Sequence, residues 1–173
     1  MKTNKDQRMK KTIKSLIEIN NGIETLKKVK DVKFAFALMR NRKKIQRELD
    51  AYNESLDAFR LDDGENIIYK TYDAERIKLA EKYAKKDEKG KPVIENNNYI
   101  LINESAFNAD WEKLKSKEEY KAVLEKQKTL KEKADEGLAE EVEIDFYKIK
   151  EDVVPVELGL EDLEQIEDLI ELK

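Results

Sequence analysis

The stretch "FAFALMRNRKKIQRELDAYNESLDAF", residues 34–59, carries the strongest pattern in the chain. Ala35, Arg42, Leu49 and Leu56 recur every seven residues, and so do Leu38, Ile45, Tyr52 and Phe59. The second set falls three residues after the first, which is the a/d pattern of a helix facing a partner helix. Asp31 stands where an N-cap is wanted, so the helix is expected from about 32 to 60, about 40 Å long. Arg42 alone interrupts the seam, and it either snorkels or pairs with a carboxylate of the facing helix.

The natural partner is residues 105–136. Asn103 or Ser105 can cap that helix, Phe107, Trp111, Leu114, Tyr120, Val123, Leu124 and Leu130 mark its apolar face, and Gly137 stops it. Other segments read more briefly. Ile13 to Val29 has helical spacing with a candidate break at Asn20-Asn21-Gly22. "LDDGEN" (61–66) ends or kinks the long helix, and a shorter one follows from about Asp73 to Lys85. Gly90 and Pro92 make a turn. Val93-Ile94 and Tyr99 to Ile102 flank Asn96-Asn97-Asn98 as a hairpin, since Asn tolerates left-handed backbone. Val142, Ile144 and Phe146 alternate, which is strand grammar and places a third strand beside that hairpin. Pro155 and Gly159 bracket a break before a short acidic C-terminal helix.

The expected fold is therefore α+β and mostly α: a long antiparallel, coiled-coil-like helical hairpin, with a small antiparallel β-sheet at one end (about 93–95, 99–102 and 142–149) and a short C-terminal helix. Residues 1–11 are expected to be a flexible basic N-terminus, and 12–173 a single domain.

Composition excludes several classes. Of 173 residues 43% are charged and 39% hydrophobic, the balance of long solvated helices and not of a disordered chain, since Leu, Ile and the aromatics recur periodically. With no Cys and no His, the chain offers no thiol nucleophile, no thiolate metal site and no imidazole base. Nothing resembles an h-region behind "MKTNKDQRMKKTIKS", and no apolar run nears the ~20 residues that span a bilayer. A soluble protein inside the cell is expected.

The net charge of −4 is unevenly spread. Residues 1–60 hold 16 Lys/Arg against 8 Asp/Glu, whereas 138–173 hold 3 against 13. Either the two ends neutralise each other within the fold, or the basic end is a face for an acidic partner.

Three constellations bear on function. Arg40, Lys43, Lys44 and Arg47 share one helix face that can track phosphates, yet they are interleaved with the seam and followed by acids, as solvated faces usually are. Glu141, Glu143 and Asp145 alternate along a strand with Lys148 nearby, a spacing found in metal-dependent nucleases, but an edge strand is charged for solubility too. No phosphate loop or second acidic cluster accompanies them, so the reading is of no enzyme, no cofactor and no metal. The aromatics Phe34, Phe36, Tyr52, Phe59, Phe107 and Trp111 have core spacing. Two apolar groups remain as candidates for a protein interface, namely Ile67, Ile68, Tyr69 and Tyr72, and the stripe Leu163, Ile166, Leu169 and Ile170; each can equally complete the core.

"KFAFALMRNRKKIQRELDAY", "KYAKKDEKGKPVI" and "LAEEVEIDFYKI" together resemble small uncharacterised helical proteins encoded by bacteriophages and prophages. The shared features are a basic core at Asn41 to Lys44, a D-x-x-G-x-P turn and a "VEID" strand, spread over most of residues 30–172. The segment before Val32 and "RLDDGENIIYKTY" depart from the pattern. No activity or functional residue comes with the resemblance. It implies a phage setting in a bacterial cytoplasm or virion, with a viral or host protein, or a second copy, as partner. Virion assembly and interference with host defence are the functions it brings forward, with nucleic-acid binding by residues 40–47 as the alternative.

Overall fold

The computed structural model describes residues 8–171. In chain order the elements are β1 (Arg8–Thr12), α1 (Ile13–Thr25), α2 (Val32–Leu56), α3 (Asp63–Tyr83), β2 (Ile94–Glu95) and β3 (Asn98–Tyr99). They continue with α4 (Glu104–Lys115), α5 (Glu118–Leu138), β4 (Glu141–Asp145), β5 (Ile149–Lys150), α6 (Leu160–Glu164) and β6 (Ile170–Glu171). The class is mostly α with a small β component. The chain divides into two compact units, one of residues 1–58 with 133–173 and one of residues 59–132, where a single domain over 12–173 was expected.

The first unit is built on α1 and α2. Asp31 caps α2 as its position suggests, accepting the Phe34 N–H at 2.8 Å. From there Phe34, Ala37, Leu38, Asn41, Ile45 and Leu49 face inward, a spacing of three and four that keeps one stripe buried. That stripe meets Ile13, Leu16, Ile19, Ile23 and Leu26, the matching stripe of α1 and the turn after it. Ile144, Phe146, Ile149, Ile166 and Leu169 close the core from the C-terminal segment.

The partner of the α2 seam within this unit is thus mainly α1. The stretch expected as one helix over 105–136 is broken at Ser116-Lys117 into α4 and α5, and all but the end of it belongs to the second unit. Ser116 closes α4 as its C-cap, its N–H bonded to the Glu112 carbonyl and its hydroxyl donating to the Lys113 carbonyl at 2.8 Å. What remains of the expected pairing is local: the Tyr52 hydroxyl donates to the Ala134 carbonyl at 3.0 Å. The helix stops at Leu138, one residue past Gly137, and a Cβ on Gly137 would lie 2.7 Å from the Tyr52 ring, so glycine here also permits the contact.

Gly22 has the same use. The Asn20-Asn21-Gly22 triplet does not break α1, because the helix runs on to Thr25. A Cβ at Gly22 would sit 2.7 Å from Gln165 Cβ, so its absence lets the C-terminal segment lie against α1.

Residues 8–11, expected to be flexible, form β1 instead, and residues 1–7 lie outside the described residues. β1 pairs antiparallel with β4, placing Arg8 opposite Asp145 and Lys10 opposite Glu143. The basic strand therefore takes the acidic strand as its neighbour, and β4 does not join the hairpin. Opposite charges across the ladder favour that choice. β5 and β6 form a separate, short parallel pair.

In the second unit, α3 begins earlier than expected. Asp62 and Glu65 form a reciprocal capping box, so Asp63 to Tyr72 is helical and Gly64 falls in the first turn. The β2–β3 hairpin turns on Asn96 and Asn97, both at positive φ (48° and 62°), as the asparagine triplet suggests. α3 packs on α4 around Tyr72, Leu114 and Tyr120. The Trp111 indole donates to the Tyr72 hydroxyl at 2.9 Å, and Tyr83 donates to Asp110 at 2.7 Å. Among the described residues no helix is long and apolar enough to cross a membrane.

Candidate functional site

Ion pairs absorb much of the charge asymmetry in the first unit. Arg8 meets Glu143 at 3.7 Å, Lys11 meets Asp168 at 2.5 Å, and Lys44 meets Asp145 at 3.2 Å. Arg42 pairs with a carboxylate of the facing helix, as one reading had it: Glu24 of α1, at 2.6 Å. The Lys27 ammonium, and after it Arg42, hold the Glu24 carboxyl below its ordinary range.

Two of the three strand acids are paired, Glu143 with Arg8 and Asp145 with Lys44, and Glu141 is exposed at the start of β4 opposite Thr12. Among the described residues no group of three or more His, Cys, Asp or Glu side chains is arranged to hold a metal ion.

The basic face of α2 is divided. Lys44 is half-buried and donates to the Asp145 backbone carbonyl as well as its carboxylate, so it belongs to the fold. Lys43 and Arg47 are exposed and enter no ion pair among the described residues. Arg40 lies over the Tyr147 ring, its guanidinium carbon 4.8 Å from the ring centroid.

Most of the apolar interface candidates prove to be core. Ile166 and Leu169 are fully buried, and Leu163 and Ile170 are half-buried, so the C-terminal stripe completes the first unit. Tyr72 is buried with Trp111 and Tyr120, and Tyr69 packs against them. A helix starting at Asp63 turns these tyrosines toward α4, which leaves Ile67 and Ile68 exposed.

The exposed apolar surface that spacing did not reveal is on α2. Phe34 is fully buried, whereas Phe36, expected in the core, is 57% exposed beside exposed Val32 and Met39. Residues two apart on a helix point to nearly opposite sides, so one ring of Phe-Ala-Phe must leave the core when the other enters.

Phe36 lines a cleft of about 360 Å³ within the first unit. One wall is the α2 face Lys33, Phe36, Ala37 and Arg40; the other is Tyr147, Lys148, Ile149, Lys150 and Val153. The second wall is fixed by Asn41, the one fully buried polar side chain of α2. Its amide nitrogen donates to the Tyr147 carbonyl at 2.9 Å, and its amide oxygen accepts the Tyr147 N–H at 2.7 Å. The Lys148 ammonium is turned away to the Asp168 carbonyl at 2.7 Å. Lys33 and Lys150 enter no ion pair among the described residues, and no carboxylate lines the cleft. An apolar floor under unneutralised cations suits a ligand with acidic groups around a bulky apolar one.

Two other hollows lack that character. In the second unit a groove between α3 and α4 holds both carboxylates and cations, and apart from Lys78 its charges are paired, Lys82 and Lys113 with Asp110 and Lys117 with Glu75. In the first unit an acid-rich hollow lies along α1 and residues 161–168, where Asp168 is held by Lys11.

No family model, curated protein or solved structure matches the chain.

Proposed function

We propose that this chain is a non-enzymatic protein-binding protein and that the Phe36 cleft is its binding face. The observation that carries the reading is a large aromatic ring left in solvent between Lys33, Arg40 and Lys150, with no acid in the lining. Exposed aromatic and basic side chains around a preformed hollow are the usual makings of a protein interface. The phage setting rests on the resemblance of residues 30–172 alone. Within it, a virion or assembly component is the preferred role, and an inhibitor of a host defence protein the alternative.

Affinity purification from phage-infected cells tests this, run with wild-type and Phe36→Glu protein and set beside the protein content of purified virions. A specific partner lost with Phe36→Glu supports the reading, and its presence in virions selects the structural role. Partner recovery unchanged by Phe36→Glu counts against the cleft.

Nucleic-acid binding is the second reading, favoured by Lys43 and Arg47 standing exposed beside Arg40 with no ion pair among the described residues. It requires affinity that falls with salt at a slope of about 3, one unit per phosphate contact, and that is abolished by Lys43→Glu with Arg47→Glu.

A further inference from the structure

The first unit carries, next to its basic cleft, a segment whose chemistry is the complement of that cleft. Val153 lines the cleft. Three residues on, within about 10 Å along the chain, Val156 stands fully exposed, and Leu160 is 73% exposed. Acids surround them: Glu157, Glu161, Asp162 and Glu164, with no Lys or Arg between 151 and 171. A bulky apolar side chain flanked by carboxylates is what a hollow floored by Phe36 and Val153 and ringed by Lys33, Arg40 and Lys150 would hold. In its own chain this segment faces solvent and leaves the cleft open.

We infer that the occupant of the cleft is a second copy of this chain, whose residues 156–161 insert Val156 or Leu160 against Phe36 while Glu157 and Glu161 meet Lys33, Arg40 and Lys150. Because insert and cleft belong to one unit and adjoin in sequence, the exchange is reciprocal: each copy gives its segment and receives its partner's. Such a contact is isologous and closes as a two-fold dimer, which doubles the area buried by one insertion. Glu151 and Asp152 follow Lys150 but do not line the cleft, so the cations remain available to the incoming acids. A nucleic acid fits less well. The Tyr147 face is covered by Arg40, leaving Phe36 as the single free ring, and the rest of the floor is aliphatic.

This inference rests on the cleft being a protein-binding face, and the experiment separates the two. The purified full chain is followed by sedimentation velocity over a range of concentrations. The expected result is a dimer of twice the 20.3 kDa chain mass that weakens as salt is raised. Phe36→Glu and Leu160→Glu, both at exposed positions, should each weaken it about tenfold or more. Mixing the two variants restores one intact insertion, so the mixed dimer should be tighter than either variant with itself. A chain monomeric at all concentrations, a dimer indifferent to both variants, or a mixture no tighter than its components overturns the inference. If the chain is monomeric but a labelled peptide of residues 154–164 binds and is lost with Phe36→Glu, the dimer is wrong and the protein-binding reading stands. If the peptide does not bind and a single-stranded RNA oligomer does, at physiological ionic strength and dependent on Phe36, both readings fall.

Discussion

The side-chain amide of Asn41 grips both backbone groups of Tyr147, giving a hydrogen bond to its carbonyl at 2.9 Å and taking one from its N–H at 2.7 Å. The Tyr147 backbone thereby finds in a helix side chain the pairing that a neighbouring strand would otherwise supply. Asn41→Leu keeps the bulk but strands two polar groups, which should cost about 2–4 kcal/mol on the scale of unsatisfied buried groups. Asn41→Asp keeps one acceptor but sets a carboxylate against the Tyr147 carbonyl, and should cost at least as much. Urea unfolding of the two variants checks this; a loss within about 0.5 kcal/mol for both would show that the clamp is dispensable.

Gly22 should be intolerant of even one added carbon. A Cβ there meets Gln165 Cβ at 2.7 Å and the Gln165 backbone carbonyl at 2.9 Å. Backbone cannot swing aside as a long side chain can, so the gain in helix propensity from Gly22→Ala is outweighed, with a net loss of about 1–3 kcal/mol. Thermal or urea unfolding should show lower stability; a rise would mean that the C-terminal segment does not lie against α1 there.

Asp110 should titrate far below an ordinary carboxyl. The Tyr83 hydroxyl first, then the Lys113 and Lys82 ammonium groups, hold its pKa down from 3.8 to about 2. Since the folded value is the lower one, its contribution is complete above the unfolded value near 4 and is lost as pH falls through about 2. A carbon-detected titration of the Asp110 carboxyl should give a midpoint near 2, and Tyr83→Phe should raise it; a midpoint near 4 in the wild type would rule the arrangement out.

Trp111, the single tryptophan, reports on the second unit. Its indole donates to the Tyr72 hydroxyl, and Tyr72 is 5% exposed, so Tyr72→Phe leaves an indole N–H without its acceptor. The expected cost is about 1–2 kcal/mol, read from the Trp111 fluorescence transition in urea. An unchanged midpoint would place the indole in water.

Local signals in the sequence transferred well. Asp31 capped α2 and the asparagine triplet turned the hairpin, because each depends on neighbours in the chain, whereas Arg42 found its carboxylate on α1 and not on 105–136. Pairings between distant segments transferred poorly. The seam on α2 specified that a helix must cover it but not which one, and α1, directly after a basic strand, matched it as well as 105–136 did. Glycine signals were mixed: the 61–66 stretch separates α2 from α3 and α5 stops one residue past Gly137, but α1 runs through Gly22, and at Gly22 and Gly137 glycine makes room for a side chain from far along the chain. The candidate site was legible only in part. Arg40 is legible as a cation, whereas core spacing for all the aromatics overlooks Phe36: with Ala35 at a and Leu38 at d, Phe34 falls at g beside the seam and Phe36 at b on the outer face, as observed.

The pairing of β1 with β4 has a bearing on how the chain is made. The second unit, 59–132, is one uninterrupted stretch, whereas the core of the first needs Ile13 to Leu49 together with Ile144 to Leu169. At a ribosomal rate of about 5–20 residues per second, α1 and α2 emerge roughly 5–20 s before the segments that roof them. During that interval Phe34, Leu38 and Ile45 have α1 as a cover and nothing on the side later taken by Phe146 and Leu169. The inserted unit is complete in sequence before the outer one, so the apolar face of α1 and α2 stays without its roof until residues 144–169 have been made.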